Sequence, residues 1–184
     1  MNAYFETVYA LSNIKRFSTH QVNHIQNVAM HSFNCAMICL YIVDVDKIDC
    51  DKAILLQKVL FHDLPEGVLG DIPAPTRNYS KELHAKIKEV ETEMMTAMFK
   101  DIPVNYTKWT IEAKQGPEGE IVALSDLIER LIYLSQEKRS GNQVTNAVYN
   151  DTTAKLKTKT FRELLKKYPT AAEIIFHYLS KVQS

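Results

Sequence analysis

The sequence is poor in glycine and proline, and it contains no long stretch in which apolar and polar residues alternate. Only five glycines and six prolines occur among 184 residues. Half-buried strands alternate in polarity, so these shortages favour an all-α fold. With 46% hydrophobic and 24% charged residues, the chain has an ordinary globular composition and is expected to form a single domain over residues 1–184.

The chain also lacks a net charge, because 22 basic residues balance 22 acidic ones. Proteins that attract nucleic acid or an anionic membrane through their overall field carry an excess of positive charge. We therefore expect neither nucleic acid nor a membrane as a partner. Any bound anion must be held by a local group of cations.

Cysteine is scarce as well. Cys35, Cys39 and Cys50 are an odd number without the spacing of a disulfide framework, which fits a reducing compartment. Cys35 and Cys39 lie on one apolar helical face and are expected to act as small buried hydrophobes rather than as a metal pair. No apolar run reaches the roughly 18 residues of a membrane span, and the first residues lack the basic start of a signal peptide. These features predict a cytoplasmic protein.

Helical spacing of apolar residues covers most of the chain. Residues 49–51 offer a cap for the third helix, Ser80 caps a long charged helix, and Thr170 with Glu173 forms a capping box for the last one. A break is expected at residues 101–105 around Pro103. The predicted helices cover residues 3–14, 27–43, 53–61, 80–99, 105–115, 121–139, 143–167 and 170–182.

The stretch from residue 62 to residue 75 holds the densest group of potential ligands. His62 and Asp63 are adjacent, and Glu66 and Asp71 follow within ten positions. Adjacent residues of a helix point about 100° apart, so both can reach one ion only at a helix end or an irregular turn. Residues 65 and 67, a proline and a glycine, supply that break. Imidazole with carboxylate suits a hard or borderline divalent cation.

Two further candidates, His31 and Asp126, lie on strongly apolar helices. A carboxylate in such a position is costly unless it is paired, hydrogen-bonded or bound to a metal. Taken alone, His31 is more often a hydrogen-bonded core histidine, and Asp126 could pair with Arg130. Together with His62 and Asp63, they supply four ligands from helices that a small bundle brings together, which favours a metal site.

The order of these residues resembles a known pattern. His31, His62-Asp63 and Asp126 resemble the His…His-Asp…Asp signature of the HD-domain metal-dependent phosphohydrolases. Within that family, two blocks resemble the YfbR-type 5′-deoxynucleotidases over about residues 10–140: Asn27-Val28-Ala29-Met30-His31-Ser32, and His62-Asp63-x-x-Glu66-x-x-x-Gly70-Asp71-Ile72-Pro73. Two positions differ, because Met30 replaces an acid and Phe17 replaces a tryptophan.

The resemblance implies an HD-domain bundle of roughly seven to nine helices around one metal site. It assigns the metal to His31, His62, Asp63 and Asp126, and it implies one divalent ion (zinc, cobalt or manganese), with an additional magnesium ion for a triphosphate substrate. Since no glycine-rich phosphate loop is present, a nucleotide would be held by side chains and metal.

The remaining site residues have expected roles in the reaction. Glu66 and Asp71 are the expected catalytic acids, able to orient water or to move a proton. Alternatively, Glu66 holds His62 and Asp71 is a turn residue. The expected substrate-binding residues are Arg16, Phe17, Pro73 and Arg77. Guanidinium groups match phosphate oxygens in a bidentate way, so the two arginines are expected to clamp phosphate.

The expected activity is hydrolysis of the 5′ phosphoester of a deoxynucleotide, which yields a deoxynucleoside with phosphate or triphosphate. The short chain resembles the phage dATP triphosphohydrolases (DatZ-like), which makes dATP or dAMP the expected substrate. The alternatives are a general 5′-deoxynucleotidase of dNMPs and a non-catalytic HD nucleotide-sensing module. A cyclic-dinucleotide phosphodiesterase needs further histidines, and only His84 lies between His62 and Asp126. A homo-oligomer, dimer or larger, is expected, located in the cytoplasm (of the host if viral).

Overall fold

The computed structural model describes residues 2–102 and 106–183, and most of that part of the chain is helical. It contains no strand, and its one isolated β-bridge joins Lys15 to Asn27. The all-α prediction is therefore confirmed. The helices are α1 (Asn2–Ala10), α2 (Val28–Val45), α3 (Lys52–Phe61), α4 (Glu66–Leu69), α5 (Ala74–Arg77), α6 (Lys81–Phe99), α7 (Tyr106–Ile111), α8 (Gly116–Arg139), α9 (Asn146–Leu156), α10 (Lys159–Lys167) and α11 (Pro169–Gln183).

These eleven helices of the described residues exceed the expected seven to nine. Two of them, α4 and α5, are single turns of four residues each in the segment after His62. The predicted helix over 143–167 is wrong as one element, because it divides into α9 and α10. The side chain of Thr158 caps α10 by accepting a hydrogen bond from the backbone of Phe161, and a capping threonine competes with helix continuation.

Several helix ends differ from the expected positions. The first helix stops at Ala10, because the backbone of Leu11 and Ile14 accepts hydrogen bonds from residues 29 and 28 instead. Helix α8 begins at Gly116 rather than 121, with a proline in its first turn. Thr170 lies inside α11, and both its backbone and its hydroxyl donate to Asp46 at the end of α2, so the predicted capping box is wrong.

Other boundaries follow the capping residues that the sequence supplies. Asp51 accepts from the backbone of residues 53 and 54 at the start of α3, and Ser80 accepts from Leu83 at the start of α6. Both predictions are confirmed. The expected break at Pro103 lies outside the described residues.

Helix α8 is the centre of the bundle, and α2, α3, α9 and α11 pack around it. Its apolar residues Leu124, Ile128, Leu131 and Leu134 are fully buried. Helix α2 is long and apolar enough to cross a membrane by length and composition alone. Here it is a core helix, because one face packs against α8 and α3 and carries the fully buried His31.

The segment between α1 and α2 is fastened to α8 by a buried acid. Glu137 accepts hydrogen bonds from the backbone of Asn23 at 2.8 Å and of His24 at 2.7 Å. Tyr133 donates to the carbonyl of His24, and Asn142 donates to that of Gln21. This network fixes the path of the chain just after Arg16.

Glycine is required where α4 approaches α1. A Cβ atom added at Gly67 would lie 2.5 Å from Cγ2 of Thr7 and 2.6 Å from its backbone oxygen. Atoms that close cannot coexist, so a larger residue would push α4 away from α1. Because α4 begins at Glu66, this contact also fixes the position of that side chain.

We expect Gly67→Ala to lower the free energy of unfolding by about 1–3 kcal/mol, the usual cost of overpacking. Urea unfolding followed by circular dichroism measures the change. Val68→Ala, at an exposed position of the same turn, is the control and should stay within about 0.5 kcal/mol. Unaltered stability of Gly67→Ala would contradict the close approach of the two helices.

Candidate active site

The four expected metal ligands converge from three helices. His31 comes from α2, Asp126 from α8, and His62 and Asp63 from the turn that ends α3. Nε2 of His31 lies 3.5 Å from Oδ2 of Asp63 and 3.4 Å from Oδ1 of Asp126. Nε2 of His62 lies 3.2 Å from the same oxygen of Asp63. The helix break after Phe61 is what allows the adjacent His62 and Asp63 to face one point.

The donor set suits a divalent metal. Nδ1 of His62 lies 2.6 Å from the carbonyl oxygen of Val59 and donates to it, so Nε2 carries the lone pair. That Nε2 atom is buried and has no hydrogen-bond partner. A buried lone pair beside a second imidazole and two carboxylates matches the ligands that a catalytic metal uses. His31, His62, Asp63 and Asp126 could therefore hold one ion.

Glu129 is a residue of this site that the sequence reasoning missed. Its buried carboxylate accepts from Nδ1 of His31 at 2.6 Å and also contacts the side chains of Gln26 and Asn34. A carboxylate behind a ligating histidine fixes the ring and its tautomer. The signal was present, because Glu129 follows Asp126 by three residues on an apolar helix and so shares its face.

The surroundings raise the pKa of His31 and lower the pKa of Asp63. Burial and Arg16 act against protonation of His31, but hydrogen bonds to Asp126 and Glu129 outweigh them and raise its pKa. Burial acts against ionisation of Asp63, but the two histidines and Arg16 hold its pKa well below its usual range. The carboxylates are therefore ionised, as metal ligands must be.

A thiol also contacts the candidate ligands. Sγ of Cys35 lies 3.6 Å from Nε2 of His31, and suitable donor atoms of His31, Cys35 and His62 lie within 4.8 Å of one another. Cys35 and Cys39 are fully buried, as expected for small hydrophobes. Burial, together with nearby acids, raises the pKa of the Cys35 thiol far above its ordinary value, so the thiol keeps its proton.

Asp126 is contacted by two cations as well as by His31. Nζ of Lys114 lies 2.5 Å from Oδ2, and Nη2 of Arg130 lies 3.3 Å from Oδ1. Burial would raise the pKa of Asp126, but these two charges and His31 hold it well below the usual range. The ion pair between Asp126 and Arg130 was considered from the sequence, whereas the ion pair with Lys114 was not. Asp126 contacts Arg130 and His31 at the same time, so the two interpretations of Asp126 are compatible.

Arg16 is buried and faces the same cluster. Its Nη1 lies 3.2 Å from Oδ2 of Asp63, while its Nε atom is buried without a partner. Burial acts against its charge, but the carboxylates around it, Asp63 first among them, raise its pKa above the ordinary value. The guanidinium is thus permanently charged and has an unused donor.

Phe17 follows in a backbone conformation that few residues other than glycine adopt, with φ of 55°. Its ring stacks on Tyr133 with the centroids 4.9 Å apart, and its backbone N–H donates to Oδ2 of Asp71 at 3.3 Å. Asp71 therefore ties the Arg16–Phe17 segment to the loop after α4.

Glu66 has the properties of a proton donor. One of its carboxylate oxygens, Oε2, is buried without a partner. Burial, with the negative charges of Asp63 and Asp71, raises the pKa of Glu66 to about 9, against the opposing effect of Arg16 and Arg77. A carboxyl group that is protonated at neutral pH can act as a general acid. A dication bound nearby would lower this pKa.

The last two expected residues lie at the ends of α5. Pro73 precedes this turn, and its carbonyl accepts from the backbone of Arg77 at 2.9 Å. Nη1 of Arg77 lies 2.8 Å from Oε1 of Glu91, a buried acid of α6. Its charge acts on Glu66. Arg77 is thus oriented by Glu91 near the cluster, rather than free on the surface.

Comparison with known proteins agrees with this geometry. The model of the YfbR-like 5′-deoxynucleotidases matches residues 3–168. The chain belongs to the YfbR-like 5′-deoxynucleotidase family. It is therefore a hydrolase of the HD-domain phosphohydrolase type, and the resemblance stated from the sequence is confirmed. Family membership and the donor set together indicate a divalent-metal-dependent enzyme of deoxynucleotides.

A 5′-deoxynucleotidase and two HD-domain phosphohydrolases are similar to about four fifths or more of this chain. The 5′-deoxynucleotidase of Shewanella oneidensis is 26% identical over 157 residues, 79% of this chain and 80% of that protein. An HD-domain phosphohydrolase from Listeria innocua superposes with a TM-score of 0.72 at 23% identity, covering 96% and 98% of the two chains. Cyanophage S-2L HD phosphohydrolase (DatZ), bound to dA and one catalytic Zn²⁺, gives 0.64 at 18% identity, covering 96% and 95%. Structural likeness at these identities shows the fold.

We expect Glu129→Gln to weaken metal binding by about 10–100-fold, because partners behind a ligating histidine typically contribute that much. Glutamine keeps the size of the side chain but removes the charge that orients His31. Competition with a chromophoric chelator measures the affinity. Glu120→Gln, on the same helix but paired with Lys167, is the matched control. Parent-like metal affinity in Glu129→Gln would show that Glu129 supports only the fold.

Proposed function

We propose that this protein cleaves the 5′ phosphoester of deoxynucleotides with one divalent metal held by His31, His62, Asp63 and Asp126. The observation that carries the proposal is the buried, unpartnered Nε2 of His62, which lies beside the acid that also contacts His31. Zinc, cobalt and manganese all accept imidazole and carboxylate ligands. An additional magnesium ion would accompany a triphosphate substrate.

When bound, such a metal supplies Lewis-acid charge to the phosphate ester. The side chains around the metal position bind the phosphate and move the proton. Arg16 offers its unpartnered Nε, and Arg77 is fixed by Glu91, so both can hold phosphate oxygens as the charge on them grows. The preformed position of Arg16 keeps the entropic cost of that contact low.

Glu66 is the proposed general acid. As water adds to phosphorus and the P–O5′ bond breaks, the protonated Glu66 gives its proton to the departing O5′. The proton that the attacking water releases returns to the Glu66 carboxylate, which regenerates the acid for the next turnover. Asp71 is the second proposed catalytic residue. Its charge raises the pKa of Glu66, and its contact with Phe17 keeps the two segments together.

Phe17 and Pro73 are the proposed surfaces for sugar and base. Phe17 is only partly buried, and its stacking on Tyr133 makes it a rigid apolar surface. The best-supported base is adenine, with dATP or dAMP as the substrate. Its support is the likeness to DatZ, which was solved with dA.

The rival proposals are a general 5′-deoxynucleotidase of dNMPs and a nucleotide-sensing module without catalysis. The curated relative named above supports the first. Against the second, a sensor has no chemical need for Glu66 and Asp71 beside an intact ligand set. Three other expectations stay predictions: the single domain, the cytoplasmic location and the absence of nucleic acid among the partners. So does the homo-oligomer, which the exposed apolar stripe of Met30, Phe33, Met37 and Tyr41 on α2 supports.

A panel of substrates and metals tests the function. Deoxynucleoside mono-, di- and triphosphates, with ribonucleotides as controls, are incubated with zinc, cobalt or manganese, and the products are separated by chromatography. We expect a deoxynucleoside together with phosphate or triphosphate, most rapidly from dAMP or dATP, and no product after chelation. Full activity of metal-stripped protein, or no hydrolysis of any member, would contradict the proposal.

We expect Glu66→Gln to keep its fold and its metal while losing about 10²–10⁴-fold in turnover, the usual contribution of a positioned acid or base. Turnover per bound metal ion is measured beside a melting curve. Glu93→Gln makes the same substitution at an exposed position of α6 and is the control. If turnover per metal stays near that of the parent while the melting temperature falls, Glu66 only positions His62.

A further inference from the structure

Tyr133 of α8 packs directly on Phe17, which was predicted from the sequence to bind substrate. The two rings are nearly parallel, with an interplanar angle of 6° and centroids 4.9 Å apart. Aromatic rings in such an arrangement attract each other beyond the effect of burying their area. Tyr133 is only 4% exposed, whereas Phe17 is partly exposed. The pair therefore joins a ring that is fixed in the core to a ring that solvent can reach.

The orientation of Tyr133 is fixed at its hydroxyl as well as at its ring. The hydroxyl donates to the carbonyl of His24 at 2.7 Å. Burial, with the negative charges of Glu137 and Glu129, raises the pKa of Tyr133, so the hydroxyl keeps the proton that it donates. Glu137 holds the same segment, because it accepts from the backbone of His24 at 2.7 Å. The tyrosine ring is thus held in one orientation.

Phe17 depends on a supporting contact more than most side chains do. Its backbone φ of 55° is rare outside glycine and persists only where the surroundings hold it. The hydrogen bond from its N–H to Asp71 fixes the backbone but leaves the ring free to rotate. The stack on Tyr133 restricts that rotation. The guanidinium carbon of Arg16 lies 5.8 Å from the same ring, so a displaced ring would also disturb Arg16.

Tyr133 belongs to a stripe of α8 that also carries the acids of the candidate metal site. The members of this stripe, at intervals of three, four and four residues, are Asp126, Glu129, Tyr133 and Glu137. Residues three and four apart are neighbours on one face of a helix. The first two members contact His31, and the third stacks on Phe17. One helix therefore sets the distance between the candidate metal ligands and the Phe17 ring.

We propose that Tyr133 is a positioning residue that determines specificity, because it holds the Phe17 ring as the surface on which the nucleobase of the substrate packs. This inference rests on the proposed function, which gives Phe17 to the sugar and base. A base can stack on an aromatic ring, and a ring that is already fixed loses little conformational entropy on binding.

The competing explanation is that Tyr133 only completes the core. In that case its loss would lower the stability of the protein and would act equally on substrates with and without a base. An effect that depends on the base, and that disappears when Phe17 is absent, separates the two explanations.

The test uses Tyr133→Leu, which removes the stacked ring, and Tyr133→Phe, which removes only the hydroxyl. Tyr133→Met, which fills more of the volume, replaces Tyr133→Leu if the latter does not fold. Tyr149→Leu is the matched control, because Tyr149 is also buried but its ring lies against Lys138. Two quantities are measured on the zinc-loaded chain: the calorimetric affinity for deoxyadenosine, and the ratio of kcat/KM for dAMP to that for 2-deoxyribose 5-phosphate, which lacks the base.

We expect Tyr133→Leu to bind deoxyadenosine about three- to tenfold more weakly and the kcat/KM ratio to fall by a similar factor, because an aromatic pair contributes about that much to holding its members. Tyr133→Phe and Tyr149→Leu should stay within about twofold of the parent, since the stack on Phe17 is retained in both. When Phe17→Leu has already removed the outer ring, Tyr133→Leu should change the affinity by less than about twofold.

Four results would overturn the inference: parent-like affinity in Tyr133→Leu, an equal loss when Phe17 is already replaced, equal losses for substrates with and without the base, or no binding of deoxyadenosine by the parent. Deoxyadenosine binding needs no turnover, so it decides the role of Tyr133 even if no nucleotide is hydrolysed and the proposed function fails. Conversely, hydrolysis of dAMP with a loss independent of the base would overturn the inference alone.

Discussion

The contact between His31 and Glu129 is the interaction on which the site depends. Both side chains are buried in the bundle, where an isolated charge is costly. Their 2.6 Å contact satisfies both and aims Nε2 of His31 at Asp63 and Asp126. If the carboxylate were lost, the ring would lose both its orientation and its tautomer. The other candidate ligands and His31 would then no longer point at one metal position.

The two candidate carboxylate ligands are likewise paired with cations, which offsets the cost of burying their charge. Asp63 is balanced by Arg16, and Asp126 by Lys114 and Arg130. Arg16 and Asp63 lie 47 positions apart in sequence, whereas Arg130 and Lys114 lie four and 12 positions from Asp126. The loop after Arg16 is fastened to α8 through Glu137, and close approaches at Gly67 and Gly119 fix the α4 turn and the start of α8. Much of the irregular backbone thus serves to position charge, which is why stability and activity should be coupled near these glycines.

The helical class predicted from the sequence is confirmed, and the candidate ligands, which stay a prediction, lie close together, because apolar spacing and the order of histidines and carboxylates can be read from the sequence. Apolar spacing marks α2, α3 and α8, and the end of α3 at Phe61 explains how His62 and Asp63 can point together. Glu129 was within reach of the same reasoning, since it shares a helical face with Asp126. Lys114 was not, because its contact with Asp126 depends on the turn before α8 lying against the first turn of that helix, an approach that only Gly119 permits. Division of the predicted 143–167 helix at Thr158 was missed because apolar spacing alone does not report a capping side chain.

The most direct test of the central claim is an anomalous difference map from crystals grown with Zn²⁺. The account predicts one peak within about 2.0–2.2 Å of Nε2 of His31 and His62 and of carboxylate oxygens of Asp63 and Asp126, with Glu129 still bonded to Nδ1 of His31. A peak ligated instead by Cys35, or zinc bound only away from these four residues, would contradict it.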